Sequence, residues 1–228
     1  MKTIEAGGKP LRLAGERGDG APLFLLIGGD GEEEQVWREA RALTETPFRL
    51  AALPVENWND ALSPWPAEPV FREGESFRGR GEETLAELVK TVLPALREAL
   101  EAPTAPCFLL GYSLAGLFAL YALYRTAAFS GAVSASGSLW FPGFAEYALE
   151  QPFAGSPEKL CFSLGEKEKN TKNPLMRRVQ DCTESIFRHV QALGIPCAFR
   201  LDPGGHFRDA ERRLGLGIAW MLDGDPQE

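Results

Sequence analysis

A mostly parallel central β-sheet with helices on both faces, the α/β class, is what this sequence predicts, and three observations predict it. Short unbroken apolar runs recur along the chain, among them Leu23-Phe24-Leu25-Leu26-Ile27 and Cys107-Phe108-Leu109-Leu110; a run without alternation marks a strand covered on both faces. Helix-like segments separate these runs, and strand-helix alternation argues for parallel pairing. Turn residues close the runs, as in Gly28-Gly29-Asp30-Gly31. With 228 residues, 44% of them hydrophobic and 25% charged, the chain can bury one sizeable core, and a single domain over 1–228 is expected.

In chain order, Leu23 to Ile27 reads as the first buried strand, and Glu32 to Leu43 as the helix after it. Glu32, Glu33 and Glu34 fall in that helix's first turn, where the helix dipole favours negative charge, so they read as solvated capping. Phe48 to Leu53 is a second strand. It runs into a long Pro- and aromatic-rich connection holding Trp58-Asn59-Asp60 and Ser63-Pro64-Trp65-Pro66, and loops of that length commonly carry function. A helix from Glu82 to about Ala99 follows, and Pro103 and Pro106 punctuate the approach to the strand at Cys107. After a second apolar stretch, Leu117 to Leu123, come a strand from Gly131 to Ser134, a loop with Ser136, Ser138 and Trp140, and a strand from Leu160 to Leu164. A helix from about Asn173 to Leu193, a strand from Cys197 to Leu201, the loop Asp202-Pro203-Gly204-Gly205-His206 and a helix to Leu222 complete the series.

Acidic residues outnumber basic ones, 32 to 24, for a formal charge of −8, which disfavours nucleic acid and acidic membrane surfaces as partners. Met1 to Gly8 lacks the apolar core of a signal sequence, and no stretch approaches the ~20 apolar residues that span a bilayer, so a soluble, cytoplasmic protein is expected. Of the four cysteines, Cys107, Cys161 and Cys197 fall in or beside strands with no metal-ligand spacing, and read as buried thiols.

The chemistry gathers at strand ends. In open parallel sheets ligands bind beyond the carboxyl ends of the strands, and five such ends carry candidates: Gly28 to Asp30, Trp58 to Trp65, Ser113, Glu166 to Glu168, and His206. Gly111-Tyr112-Ser113-Leu114-Ala115-Gly116 sits on a strand-to-helix corner, which lifts a hydroxyl above the sheet and aims free helix N–H groups at the same spot. A serine hydroxyl becomes a nucleophile when an imidazole takes its proton and a carboxylate holds that imidazole in the right tautomer. Ser113, Glu168 and His206 occur in the order serine, acid, histidine of one class of such sites. Only two histidines exist. His189 lies within a helix, whereas His206 follows Gly204-Gly205 in a loop. An oxyanion needs two donors, assigned here to the N–H groups of Leu114 and Gly29. Trp58, Trp65 and Trp140 are candidate walls of a substrate pocket, against the alternative that they plug the undersides of loops. The corner departs from Gly-x-Ser-x-Gly, because Ala115 stands two after Ser113 and glycine arrives at Gly116.

With Gly-Tyr-Ser-Leu-Ala-Gly, then Ser136-Gly137-Ser138-Leu139-Trp140, then Ser163-Leu164-Gly165-Glu166-Lys167-Glu168, and the late Gly-Gly-His, the chain from about 20 to 222 resembles the esterase family of α/β-hydrolases, which includes siderophore esterases, feruloyl esterases, esterase D and mycobacterial mycolyltransferases. The resemblance implies an α/β-hydrolase fold, Ser113 as nucleophile, His206 as base, and an acid a few residues past the glycine that ends its strand. That position matches Glu168 better than Glu166, with Asp202 more distant; a serine-histidine pair without an acid also stays open. The implied activity is hydrolysis of a small-molecule carboxylic ester through an acyl-enzyme, without metal or cofactor. Acyl transfer and noncatalytic binding on the same fold are the alternatives.

Overall fold

The computed structural model describes residues 1–15, 18–28, 31–70 and 76–224. Its strands are β1 (Lys2–Ala6), β2 (Lys9–Ala14), β3 (Leu23–Ile27), β4 (Arg49–Leu53), β5 (Pro66–Ala67), β6 (Phe77–Arg78), β7 (Cys107–Tyr112), β8 (Gly131–Ala135), β9 (Lys159–Gly165) and β10 (Cys197–Asp202). The helices are α1 (Glu33–Arg41), α2 (Trp58–Leu62), α3 (Gly81–Glu87), α4 (Leu93–Leu100), α5 (Leu114–Arg125), α6 (Phe144–Glu150), α7 (Val179–Ala192) and α8 (Ala210–Asp223).

One sheet runs β1-β2-β4-β3-β7-β8-β9-β10, and β5 and β6 form a separate small pair. From β4 to β10 every neighbouring pair is parallel. The unbroken apolar runs are explained by burial on both faces. In β3, Leu23, Leu25 and Ile27 join a core with α5 residues such as Phe118, while Phe24 and Leu26 join a second core with Val36 of α1 and Ile218 of α8. The two-residue period of a strand sends alternate side chains to opposite faces, and here both faces are covered.

Helix α5 is buried up to its last residue: Leu114 to Tyr124 are all buried, as its apolar run requires, and Arg125 is exposed. Between α3 and α4 the helix widens into a π turn over Leu88–Val92. Pro94 follows one residue after it; proline lacks the N–H that Lys90 C=O would accept in an α-helix, and the wider turn accommodates the loss. Helix α8 is drawn unusually close to its neighbours by two glycines. A Cβ on Gly217 would stand 2.4 Å from Val133 Cγ1 of β8, and one on Gly215 would stand 2.7 Å from Glu39 Cβ of α1.

Three elements lie outside the sequence reading. The hairpin β1–β2 pairs antiparallel onto β4 and turns at Gly7-Gly8, both with positive φ (62° and 77°), the geometry of the tight turns that suit strand twist. Its strands carry charged residues and are largely exposed on one face, so no long apolar run announces them. Helix α6 follows the Trp140 loop, and the connection after β4 contains the short α2 together with the β5–β6 pair.

Candidate active site

The chain leaves β3 for β4 on one side and reaches β7 on the other, so the strand order reverses between β3 and β7. A crevice opens at such a reversal, beyond the carboxyl ends of the strands. Gly28 caps one side of it and Ser113 the other.

Ser113 occupies a backbone conformation that favours glycine, with φ 56° and ψ −121°. Its carbonyl accepts from Ser138 N–H at 2.9 Å and its N–H donates to Ala135 C=O at 3.0 Å, which ties the corner to the end of β8. The turn is so tight that a Cβ on Gly111 would lie 2.1 Å from the Ala115 carbonyl, and one on Gly116 would lie 2.9 Å from Gly111 O. The second close approach therefore falls at 116 rather than 115, and Ala115 is buried with its methyl accommodated. The departure from Gly-x-Ser-x-Gly has this steric explanation.

His206 Nε2 lies 3.0 Å from Ser113 Oγ, and His206 Nδ1 lies 2.8 Å from Glu168 Oε2. Three residues separated by tens of positions meet because β7, β9 and β10 end at the same rim. The other oxygen, Glu168 Oε1, accepts from Gly165 N–H at 2.6 Å, Ser136 Oγ at 2.7 Å and Arg213 Nη1 at 2.9 Å. Burial pushes the Glu168 carboxyl up, but the hydrogen bonds from His206, Gly165 and Ser136 outweigh it and hold the group below its ordinary value. Glu168 is thus kept as a carboxylate facing the imidazole. Ser138, itself buried, brings a second hydroxyl to 3.3 Å from Ser113 Oγ.

Glu166 is exposed, and Asp202 approaches Arg213 Nε at 3.8 Å and Arg200 at 3.6 Å rather than His206. His189 sits near the end of α7, and its carbonyl accepts from Leu193 N–H shortly before β10 begins, at the opposite rim of the sheet. Leu114 opens α5, so its N–H has no acceptor within the helix. Gly29 lies outside the described residues.

The three tryptophans separate. Trp58, 37% exposed, packs its ring over Gly28, where a Cβ would meet it at 2.8 Å, and helps to line a pocket of about 250 Å³ with Leu26, Ile27, Tyr112, Phe207 and Leu214. Trp65 packs among Phe141, Phe144 and Tyr147 and donates its indole N–H to Pro142 C=O at 2.9 Å, beneath the loop. Trp140 is half-buried just past Ser138.

Sequence reasoning missed Arg213, Tyr112 and Phe207. Arg213 is 1% exposed although it follows Arg212, an exposed neighbour of the same type, so nothing local sets it apart. Phe207 is 95% exposed with its ring edge-on to His206 at 5.1 Å between centroids; an aromatic residue beside a loop histidine was the available signal. All four cysteines are free, and burial pushes the Cys107 thiol up to about 12, against Arg97 and Arg49. Among the described residues no helix is long and apolar enough to cross a membrane.

The sheet, its reversal and the serine corner are those of the α/β-hydrolase fold. No protein-family profile matches the chain, and no curated protein matches it. Solved structures do. An IroE-like serine hydrolase from Shewanella oneidensis superposes with a TM-score of 0.78 at 17% identity, over 94% of this chain and 75% of that one. The siderophore hydrolase EstB from Aspergillus nidulans gives 0.68 at 18% identity, over 99% of this chain and 95% of that one. The enterobactin esterase FES from Shigella flexneri gives 0.68 at 19%, over 93% of this chain and 55% of that one.

Proposed function

We propose that this protein hydrolyses carboxylic esters through an acyl-enzyme on Ser113. The observation that carries the proposal is the unbroken relay Ser113 Oγ, His206 and Glu168, at 3.0 Å and 2.8 Å, beside a helix start. The names of the structural neighbours, serine hydrolase and siderophore esterase, agree with it.

In this reading Ser113 Oγ attacks the ester carbonyl carbon as its proton passes to His206 Nε2, and Glu168 stabilises the imidazolium and keeps the proton on Nδ1. The oxyanion is held by the Leu114 N–H and a second donor from the glycine turn after β3, with Gly29 the proposed source; each such donor is worth roughly 3 kcal/mol. Collapse expels the alcohol, which takes the proton from Nε2. Water, deprotonated by the same nitrogen, then attacks the acyl-serine; the acyl–oxygen bond breaks, Ser113 Oγ takes the proton back from Nε2, and the acid leaves. The pocket walled by Trp58, Tyr112 and Phe207 takes an apolar or aromatic part of a small substrate. Trp140 is a second candidate contact, and Trp65 supports the connection that carries Trp140.

Reaction with a fluorophosphonate tests the reading, since an activated Ser113 displaces fluoride from phosphorus and is left covalently labelled. Wild type is expected to label and to turn over short activated esters, and Ser113→Ala to lose both, by roughly 10⁴-fold or more in kcat, with its fold intact. Labelling elsewhere, or turnover kept by Ser113→Ala, would refute it.

A further inference from the structure

Arg213 is nearly inaccessible and carries its charge into the crowded rim where four strands end. It reaches there because Gly215 and Gly217 let α8 settle onto α1 and β8, and because Gly165 leaves room: a Cβ on Gly165 would stand 2.7 Å from Arg213 Nη2. From that place Nη1 shares its two protons among three oxygens, Glu168 Oε1 at 2.9 Å, Ser136 Oγ at 2.6 Å and Tyr112 Oη at 3.0 Å, and Nη2 donates to Gly205 C=O at 3.1 Å. Resting on the hydrolase reading above, we propose that Arg213 is the positioning residue that organises the hydroxyls and the carboxylate behind His206, and thereby the tautomer that presents Nε2 to Ser113.

The argument is one of donors and acceptors. Hydroxyls can point either way, but a guanidinium only donates. Tyr112 Oη donates to the His206 carbonyl, which only accepts, fixing the loop that carries the imidazole, and Arg213 Nη1 faces the lone pairs left on that oxygen. Because Arg213 donates to Ser136 Oγ, that hydroxyl's proton goes to Glu168 Oε1. Glu168 Oε1 is then filled, and Oε2 is left to receive the Nδ1–H of His206, which presents Nε2 to Ser113 as an acceptor.

Asp202, at the end of β10, is shared between Arg213 and Arg200, so Glu168 is the carboxylate that faces the imidazole. Lysine would keep the charge but lose the planar fork that serves several acceptors together.

The test is the separation of kcat from KM on one activated ester, with the rate of fluorophosphonate labelling of Ser113 and thermal unfolding followed in parallel, for wild type, Arg213→Met, Arg213→Lys and Tyr112→Phe. For Arg213→Met the expected result is a kcat and a labelling rate lower by about 100-fold with KM nearly unchanged. Arg213→Lys should recover only part of that loss. Tyr112→Phe should lower kcat several-fold. A folded Arg213→Met with wild-type kcat and labelling rate overturns the proposal. If Arg213→Met does not fold, a folded Arg213→Lys and Tyr112→Phe with wild-type kcat overturn it equally. A wild-type chain that neither labels nor turns over would instead overturn the hydrolase reading itself.

Discussion

Glu166 and Glu168 share one turn after β9, yet one is exposed and the other accepts three hydrogen bonds on Oε1 and faces His206 on Oε2. Glu168→Gln keeps the shape and removes the charge that orients and stabilises the imidazole, so kcat should fall by roughly 10³- to 10⁴-fold. Glu166→Gln should stay within a factor of about two, as a surface substitution away from any network does. Steady-state rates on one activated ester check both, and equal small losses would mean that serine and histidine act without an acid. At this scale the sequence was informative about which residue types must meet. Chain order and the histidine count single out Ser113 and His206, while two glutamates at nearly the same spacing cannot be ranked by spacing alone. Their difference arises from the direction of a turn closed by the Glu168 N–H on Gly165 C=O. Arg213 was illegible for a related reason: a charged helix residue reads as solvated unless the partner surface is known.

Helix α8 turns local sequence into site geometry. Gly217 faces Val133 at a distance that leaves no room for a methyl, so Gly217→Ala must lift the helix from β8 or shift the strand. Helix propensity alone would favour alanine by about 1 kcal/mol. Overpacking costs typically 1–3 kcal/mol and should win here, because the clash is with a branched side chain fixed in the sheet. Urea denaturation should show a net loss of stability, and kcat should fall with it because Arg213 rides on the same helix. A more stable Gly217→Ala would mean that α8 is free to move. The central strands and long helices were legible because both-face burial writes an unbroken apolar run into the sequence. The β1–β2 hairpin was not, since an edge ribbon wet on one face leaves only short mixed segments.

Across the whole molecule, the reversal of strand order between β3 and β7 fixes where chemistry can occur, and the alternation visible in the sequence implied parallel pairing without implying that order. The site's rim was therefore predictable and the pocket's walls were not, because Trp58 and Phe207 come from two connections whose courses depend on the complete fold, and they meet Tyr112 at the end of β7. The left-handed backbone at Ser113 has a consequence for the molecule's endurance. Glycine tolerates φ near 56° and alanine does not, whereas either replacement deletes the same hydroxyl. Ser113→Gly should accordingly outlast Ser113→Ala in chemical denaturation by about 1 kcal/mol, after allowing for the looser unfolded chain that glycine brings. Equal midpoints would mean that the corner is relaxed. Otherwise the tension at this corner is a standing sacrifice of resilience, borne by the residue on which the proposed chemistry depends.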